Sequence, residues 1–379
     1  MMEKIQRRDW AVLGIALFHT THIATNQFAP SIIEELGLSI STTEIILSLN
    51  AISATIFLLL AGEINEKIGM RKSTILGLSL VSLSGLIPII FRNELAIILN
   101  RLIFGTGVGI YATNSSTYIE IFNKGSKKAK LMGYRNAFEM IGLIVAILLA
   151  GIVGKNDLYL SFSIYAFAII PLIFFLRSVP DYEVSEKEDS GKFKANKFVI
   201  FYIALSMMAI MTNNAMNLRF PTVLAANGVL GESISLYTMF IMFVGMVGGF
   251  VFGEFYNIFG NKSLNIAILM MIGGSLLIAI TDESIILLVL GLALTTFAQS
   301  ISISYVVGDL GNHVAQRHIS KATGFMFAGN NLGSLASPFA LIIFKDLLGT
   351  ENLTRVFVGF AALLALFLFY NLVFLKEES

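Results

Sequence analysis

Uninterrupted apolar runs constrain this chain more than any other feature. Ile40 to Ala61, Ser73 to Phe91 and Thr350 to Leu375 approach or exceed the ~20 residues a helix needs to cross the hydrocarbon layer of a bilayer. They are far too long for the strands of a lipid-facing barrel, so the spans are helices whose backbone polar groups are satisfied within each segment. Hydrophobic residues fill 56% of the 379 positions and charged residues 13%, too little charge to cover a water-facing surface. The sequence predicts an all-α integral membrane protein in contact with a lipid bilayer.

The remaining totals exclude several classes. A net charge of +1 leaves no excess of Lys and Arg to neutralise phosphates, so no nucleic-acid partner is expected. With no Cys there are no disulfides, thiolate metal sites or thiol nucleophiles. The N-terminal MMEKIQRRDW runs directly into the first apolar span without a small-residue cleavage site, and no cleaved signal peptide is expected.

Breaking the chain at charge clusters and turn residues predicts twelve helices, at 10–34, 43–62, 72–91, 94–121, 128–153, 158–177, 198–226, 233–256, 263–281, 284–309, 319–344 and 351–375. The longest polar interval, Arg177 to Lys197, divides six from six. It defines an N-terminal bundle over 1–177, a linker loop over 178–197 and a C-terminal bundle over 198–379. With the N-terminus inside, 19 of the 26 Lys and Arg fall in inside segments and only Arg92, Lys155 and Lys345 in outside loops. Both termini are therefore expected in the cytoplasm of a cell whose cytoplasmic membrane holds the chain.

A constant shift of 191 relates the two halves. It takes Asn26 and Pro30 to Asn217 and Pro221, Gly62-Glu63 to Gly253-Glu254, Gly69 to Gly260, Gly133 to Gly324 and Gly142 to Gly333. Six helices separate the repeats, so both halves share one topology, related by an axis along the membrane normal. Two such pseudo-symmetric bundles are expected to rock about a central cavity, which is alternating access.

The charged stretch GEINEKIGMRK joins the second and third helices. Its Gly62-x-x-x-Glu66-Lys67-x-Gly69-x-Arg71-Lys72 resembles the signature of the major facilitator superfamily, with Glu where Asp is usual. Arg101-Leu-Ile-Phe-Gly105-Thr-Gly107-Val-Gly109 in the fourth helix is similar to that family's R-x-x-x-G-x-G element. The resemblance covers nearly all of the chain. It implies the family's twelve-helix fold and secondary active transport of a small organic solute, commonly driven by protons, by a monomer without cofactors. The short loops resemble compact exporters of drugs and metabolites, although the fifth helix lacks the Gly-Pro pair of drug/proton antiporters. Import of a sugar, organic acid or other metabolite is the alternative direction, and a transport-inactive sensor of the same fold is the alternative class.

Ionisable groups at membrane depth mark candidate sites. At ~1.5 Å per residue, Glu139 lies about 16 Å into the fifth helix, near the midplane, and Arg135 is its i,i+4 neighbour. The repeat sets Asn330 opposite Glu139. His19 and His22 lie three apart in the first helix, on one predicted face, and imidazole titrates near physiological pH. A His-x-x-His pair also suits a transition metal, but no further ligands are available in the spans, and no metal is expected. Asn26 and Asn217 precede Pro30 and Pro221 and are placed to satisfy freed carbonyls or meet substrate. Asn213 and Asn214 offer donors and acceptors for a polar solute. Arg219 is expected to snorkel to the interface, whereas Arg101 lies too deep to do so, and the family resemblance implies a part in proton coupling. Tyr111, Asn114, Gln299 and Tyr305 complete the candidate cavity. Gly62, Glu66, Lys67, Gly69, Arg71 and Lys72 form the expected cytoplasmic gate, in which Glu66 docks on the helix end near Ser320 with Arg71 as its ion partner. No His-Glu-x-x-His, Gly-x-Ser-x-Gly or P-loop pattern occurs, so an enzyme is not expected.

Overall fold

The computed structural model describes residues 5–123, 125–180, 196–229, 231–281, 284–314 and 319–374, and every regular element among them is helical. Two compact units divide the chain, Met1–Lys187 and Glu188–Ser379. The predicted linker falls largely outside the described residues. The first unit contains α1 (Arg7–Ile15), α2 (Ala29–Leu36), α3 (Ile40–Ser48), α4 (Asn50–Ile68), α5 (Met70–Ser84), α6 (Ile87–Phe91), α7 (Glu94–Tyr111), α8 (Asn114–Phe122), α9 (Gly125–Val153) and α10 (Ile169–Ser178). The second contains α11 (Lys197–Ala226), α12 (Gly231–Phe259), α13 (Ser263–Ala279), α14 (Ile285–His313), α15 (Ile319–Leu348) and α16 (Phe357–Phe374).

Nine helical stretches among the described residues are long and apolar enough to cross a membrane. One of them, Ser233–Ala279, is 47 residues, enough for two crossings. Large apolar side chains point outward along them, including Leu59, Ile90, Phe250, Ile258 and Leu347. So much exposed apolar surface suits lipid rather than water, and this is a multi-pass membrane protein.

Where helices cross, glycines let backbones touch. A Cβ on Gly105 would stand 2.1 Å from the Asn50 carbonyl oxygen and one on Gly109 would stand 2.6 Å from that of Ala54, so α7 lies directly on α4. Gly107 faces the other way, onto Gly77 of α5. The spaced glycines of the Arg101 motif are thus small-residue packing positions for two neighbouring helices. The offset of 191 recurs in backbone geometry. Gly37 and Gly228 end helices at φ +65° and +77°, and Gly69 and Gly260 turn at φ +86° and +54°.

Several predicted spans are broken. The first, expected as one helix over 10–34, is α1, then a 3-10 turn over Ala16–Phe18, a bend at His19 and Thr20, a 3-10 stretch over Thr21–Phe28, and α2. Local polar side chains compete for its backbone. The hydroxyls of Thr21 and Thr25 donate to the carbonyls of Phe18 and His22, each three residues back, a spacing that fits the tighter winding. Pro30 opens α2 within its first turn rather than kinking a longer helix. The fourth span is interrupted at Ala112 and Thr113, between α7 and α8. The GEINEKIGMRK stretch is not a loop: α4 continues through Ile68, and Gly69 alone makes the turn into α5.

Candidate functional site

The broken first span carries the main polar centre of the first unit. Its bend brings His19 to α9, where Gly142 has no side chain to keep the backbone of Leu17 away. His19 Nδ1 lies 3.0 Å from Glu139 Oε1, and Arg135 Nη1 lies 3.3 Å from Glu139 Oε2. Arg135 Nε donates to Ser115 Oγ of α8 at 3.0 Å, and its Nη2 stands 3.4 Å from His19 Nδ1. One imidazole nitrogen therefore faces a carboxylate and a guanidinium. Bearing a proton it donates to Glu139, and bare it accepts from Arg135.

Arg101 forms a second centre on the same broken span. It is 0% exposed, and its Nη1 donates to the His22 carbonyl at 3.1 Å and to the Tyr165 hydroxyl at 3.4 Å, while Nη2 donates to Thr25 Oγ1. Thr25 Oγ1 is also 2.8 Å from the Tyr165 hydroxyl, and the guanidinium lies 5.8 Å from the centre of the Phe162 ring. Its Nε has no hydrogen-bond partner, and no carboxylate pairs with Arg101 among the described residues. Such a cation is held by dipoles and a ring face alone. Thr25, Tyr165, Phe162 and Ser115 were missed in the sequence. Each stands 20 or more residues from the arginine it serves, so no local spacing signals it.

The other candidates separate into groups. His22 does not join His19; its ring lies 5.9 Å from Phe104. The bend between the two residues removes the shared face that a continuous helix would have given them. Tyr111 is buried with its hydroxyl unbonded, and the side-chain oxygen of Asn26 is likewise without a partner. Asn114 is fully buried in a clamp rather than lining a cavity. Its Nδ2 donates to Thr74 at 2.9 Å and Ser73 at 3.2 Å, and its Oδ1 accepts from Asn65 at 2.9 Å. The clamp ties α8 to α4 and α5 beside the Gly69 turn.

In the second unit, Asn213 donates to Thr296, Asn217 donates back to Asn213, and Asn214 donates to the Ser334 carbonyl and the Ser337 hydroxyl. These bonds bind α11 to α14 and α15. Asn217 serves the Asn213 carbonyl, not the one that Pro221 frees. Asn330 is half-buried with its Oδ1 unbonded, Gln299 is half-buried, and Tyr305 packs 6.0 Å from Tyr256. Arg219 does not snorkel: it is buried and donates to the Leu353 carbonyl at 3.3 Å. Asp309 accepts from Tyr202 at 2.5 Å and His313 at 2.9 Å; the i,i+4 spacing of Asp309 and His313 on α14 is a sequence signal, whereas Tyr202 on α11 has none.

In the gate motif, Gly62 lies within α4, and Lys67 and Lys72 are exposed. Arg71, expected beside Glu66, instead donates to the carbonyls of Val179 and Leu176 at the end of α10. That helix end leaves carbonyls free for it. Glu66 is exposed, without an ion pair among the described residues, and the Ser320 side chain lies outside them. At the same end, Asp9 meets Lys127 Nζ at 3.1 Å and Asn123 Nδ2 at 3.2 Å. Burial raises the Asp9 carboxyl, but the Gln6 backbone N–H, Lys127 and Asn123 outweigh it and hold the group below its usual range.

Apolar multi-pass helices with buried ionic centres between them define a polytopic helical membrane protein. The family model of the Major Facilitator Superfamily matches residues 11–338, and the chain belongs to that superfamily. Its fold is similar to those of solved transporters. The xylose transporter XylE from E. coli, in a partially occluded inward open conformation, is 17% identical with a TM-score of 0.73 over 97% of this chain and 98% of that one. A mutant of the nucleoside transporter NupG is 14% identical with a TM-score of 0.78 over 97% and 100%. PepTSo, a POT family transporter, is 13% identical with a TM-score of 0.77 over 99% and 100%. No curated protein sequence matches the chain.

Proposed function

We propose that this chain is a proton-coupled secondary transporter of a small polar solute. It works by alternating access of two six-helix bundles, twelve spans in all, as a monomer in the cytoplasmic membrane with both termini inside. The observation that carries the coupling is the position of His19 Nδ1 between Glu139 and Arg135. Glu139 and Arg135 are a matched pair, so the imidazole is the group whose proton sets the balance of charge. Gaining a proton at Nδ1 draws the ring to Glu139, and losing it turns the ring's lone pair to Arg135. Because His19 sits at the bend of the first span and its partners on α9, a change of partner alters the bond that holds the two elements together. The unbonded Tyr111 hydroxyl and Asn26 oxygen supply polar contacts for a solute in the same unit. The compact loops favour export, with uptake as the alternative direction.

A thermal-shift screen of the purified protein against a broad solute panel, repeated across pH and with Glu139→Gln and His19→Gln, tests this reading. The expected result is a solute whose stabilisation depends on pH in the wild type and not in either variant. Hits that bind both variants with the wild-type pH dependence would remove the coupling role.

A further inference from the structure

An apolar groove of about 430 Å³ runs between Ile200, Phe201 and Ala204 of α11 and Leu366, Phe367 and Tyr370 of α16, and Lys197 closes one end. The repeat-equivalent helices of the first unit, α1 and α10, pack more closely against each other. Ile200 is 58% exposed where its counterpart Asp9 is 2% exposed, and Leu366 is 63% exposed where Phe175 is 0% exposed. In the first unit the place is filled by direct packing and by Arg7 over the Phe174 ring. The second unit keeps the helix pair but opens it along an apolar wall.

The groove's chemistry is that of a lipid with a charged head. Its walls are aliphatic and aromatic, with the Phe201 and Tyr370 rings stacked 5.7 Å apart. Its one cation, Lys197, is exposed and has no carboxylate partner among the described residues; its ammonium stands 5.2 Å from the Phe198 ring centre. Lys197 opens α11 just after the polar interval, at the water boundary where a headgroup lies. We propose that this groove binds one acyl chain of an anionic glycerophospholipid, with the lipid phosphate on Lys197. A zwitterionic lipid carries the same phosphate but offsets its charge with its own ammonium, so a net-anionic headgroup is the better match for this single cation.

Native mass spectrometry of the full-length protein in detergent, titrated with palmitoyl-oleoyl phosphatidylglycerol or phosphatidylcholine, tests the assignment. Phosphatidylglycerol is expected to bind at lower concentration. Lys197→Gln should weaken it about fivefold, the effect of one basic side chain near an anionic headgroup, and weaken phosphatidylcholine less. Ala204→Phe should weaken both lipids by filling the groove, and Lys345→Gln, far along the sequence on another helix, should weaken neither. Equal phosphatidylglycerol binding by wild type and Lys197→Gln overturns the headgroup contact. Undiminished binding by Ala204→Phe overturns the groove. A dimer that Ala204→Phe abolishes assigns the face to a second copy and overturns the lipid.

Discussion

Replacing Arg101 with Met is expected to leave the protein as stable as the wild type or more so. Moving a guanidinium from water into a buried site costs several kcal/mol even after relaxation. Arg101 recovers part of this through hydrogen bonds to His22 and Thr25, at about 1.5–3 kcal/mol each, and less through the 3.4 Å one to Tyr165. Its Nε adds the cost of an unmade bond, and no carboxylate among the described residues supplies a Coulombic return. Removal orphans none of its partners. The His22 carbonyl still accepts from Thr25, and Thr25 still pairs with the Tyr165 hydroxyl. Exchanging a buried ionic group for an apolar one of similar size is then neutral or stabilising by up to about 4 kcal/mol. Unfolding in detergent, followed by intrinsic fluorescence, reads this out, with Phe104→Ala as the yardstick at a loss of about 3–5 kcal/mol. Transport by Arg101→Met is expected to fail. A stability loss matching that of Phe104→Ala would refute the reasoning and mark the guanidinium as structural.

The Asn114 clamp predicts that Asn114→Leu destabilises the first unit by about 2–4 kcal/mol, since Asn65, Ser73 and Thr74 all lose a partner; thermal unfolding checks it. Lys127→Met should cost about 1.5–3 kcal/mol, since buried Asp9 loses one charged partner but keeps Arg8 at 3.9 Å, Asn123 and the Gln6 N–H, and adding Asp9→Asn should restore most of the loss. The lowered Asp9 pKa means that this pair stabilises above the carboxyl's unfolded value of 3.8 and that its contribution is lost as pH falls through the folded value. Gly69→Ala forces a side chain to φ +86° and should lower the unfolding temperature by the equivalent of about 1–3 kcal/mol, whereas Gly249→Ala, in open space within α12, should be neutral or stabilising.

What was legible in the sequence is what depends on neighbours along the chain. Apolar length marked helices, the i,i+4 spacing joined Arg135 to Glu139, and the fixed offset picked out Gly69 and Gly260, both at turns between helices with positive φ. What was not legible depends on side chains meeting across helices. His19 and His22 looked like one face because a helix was assumed to run through them; the Thr-rich HTTHIATNQ stretch held the signal for the break, through hydroxyls that compete for backbone carbonyls. Asn114 looked like a cavity residue, but its three partners lie 40 or more positions away. Arg71 was assigned to Glu66 by proximity in sequence, while the carbonyls it reaches lie at the end of α10.

The central claim is that the His19, Arg135 and Glu139 cluster couples a proton to solute movement. The most direct measurement is flux of a solute found in the thermal-shift screen, in proteoliposomes with and without an imposed pH gradient, for the wild type and Glu139→Gln. The account predicts that the gradient drives net flux only in the wild type, while Glu139→Gln still exchanges labelled for unlabelled solute. Gradient-driven accumulation by Glu139→Gln equal to that of the wild type would contradict it.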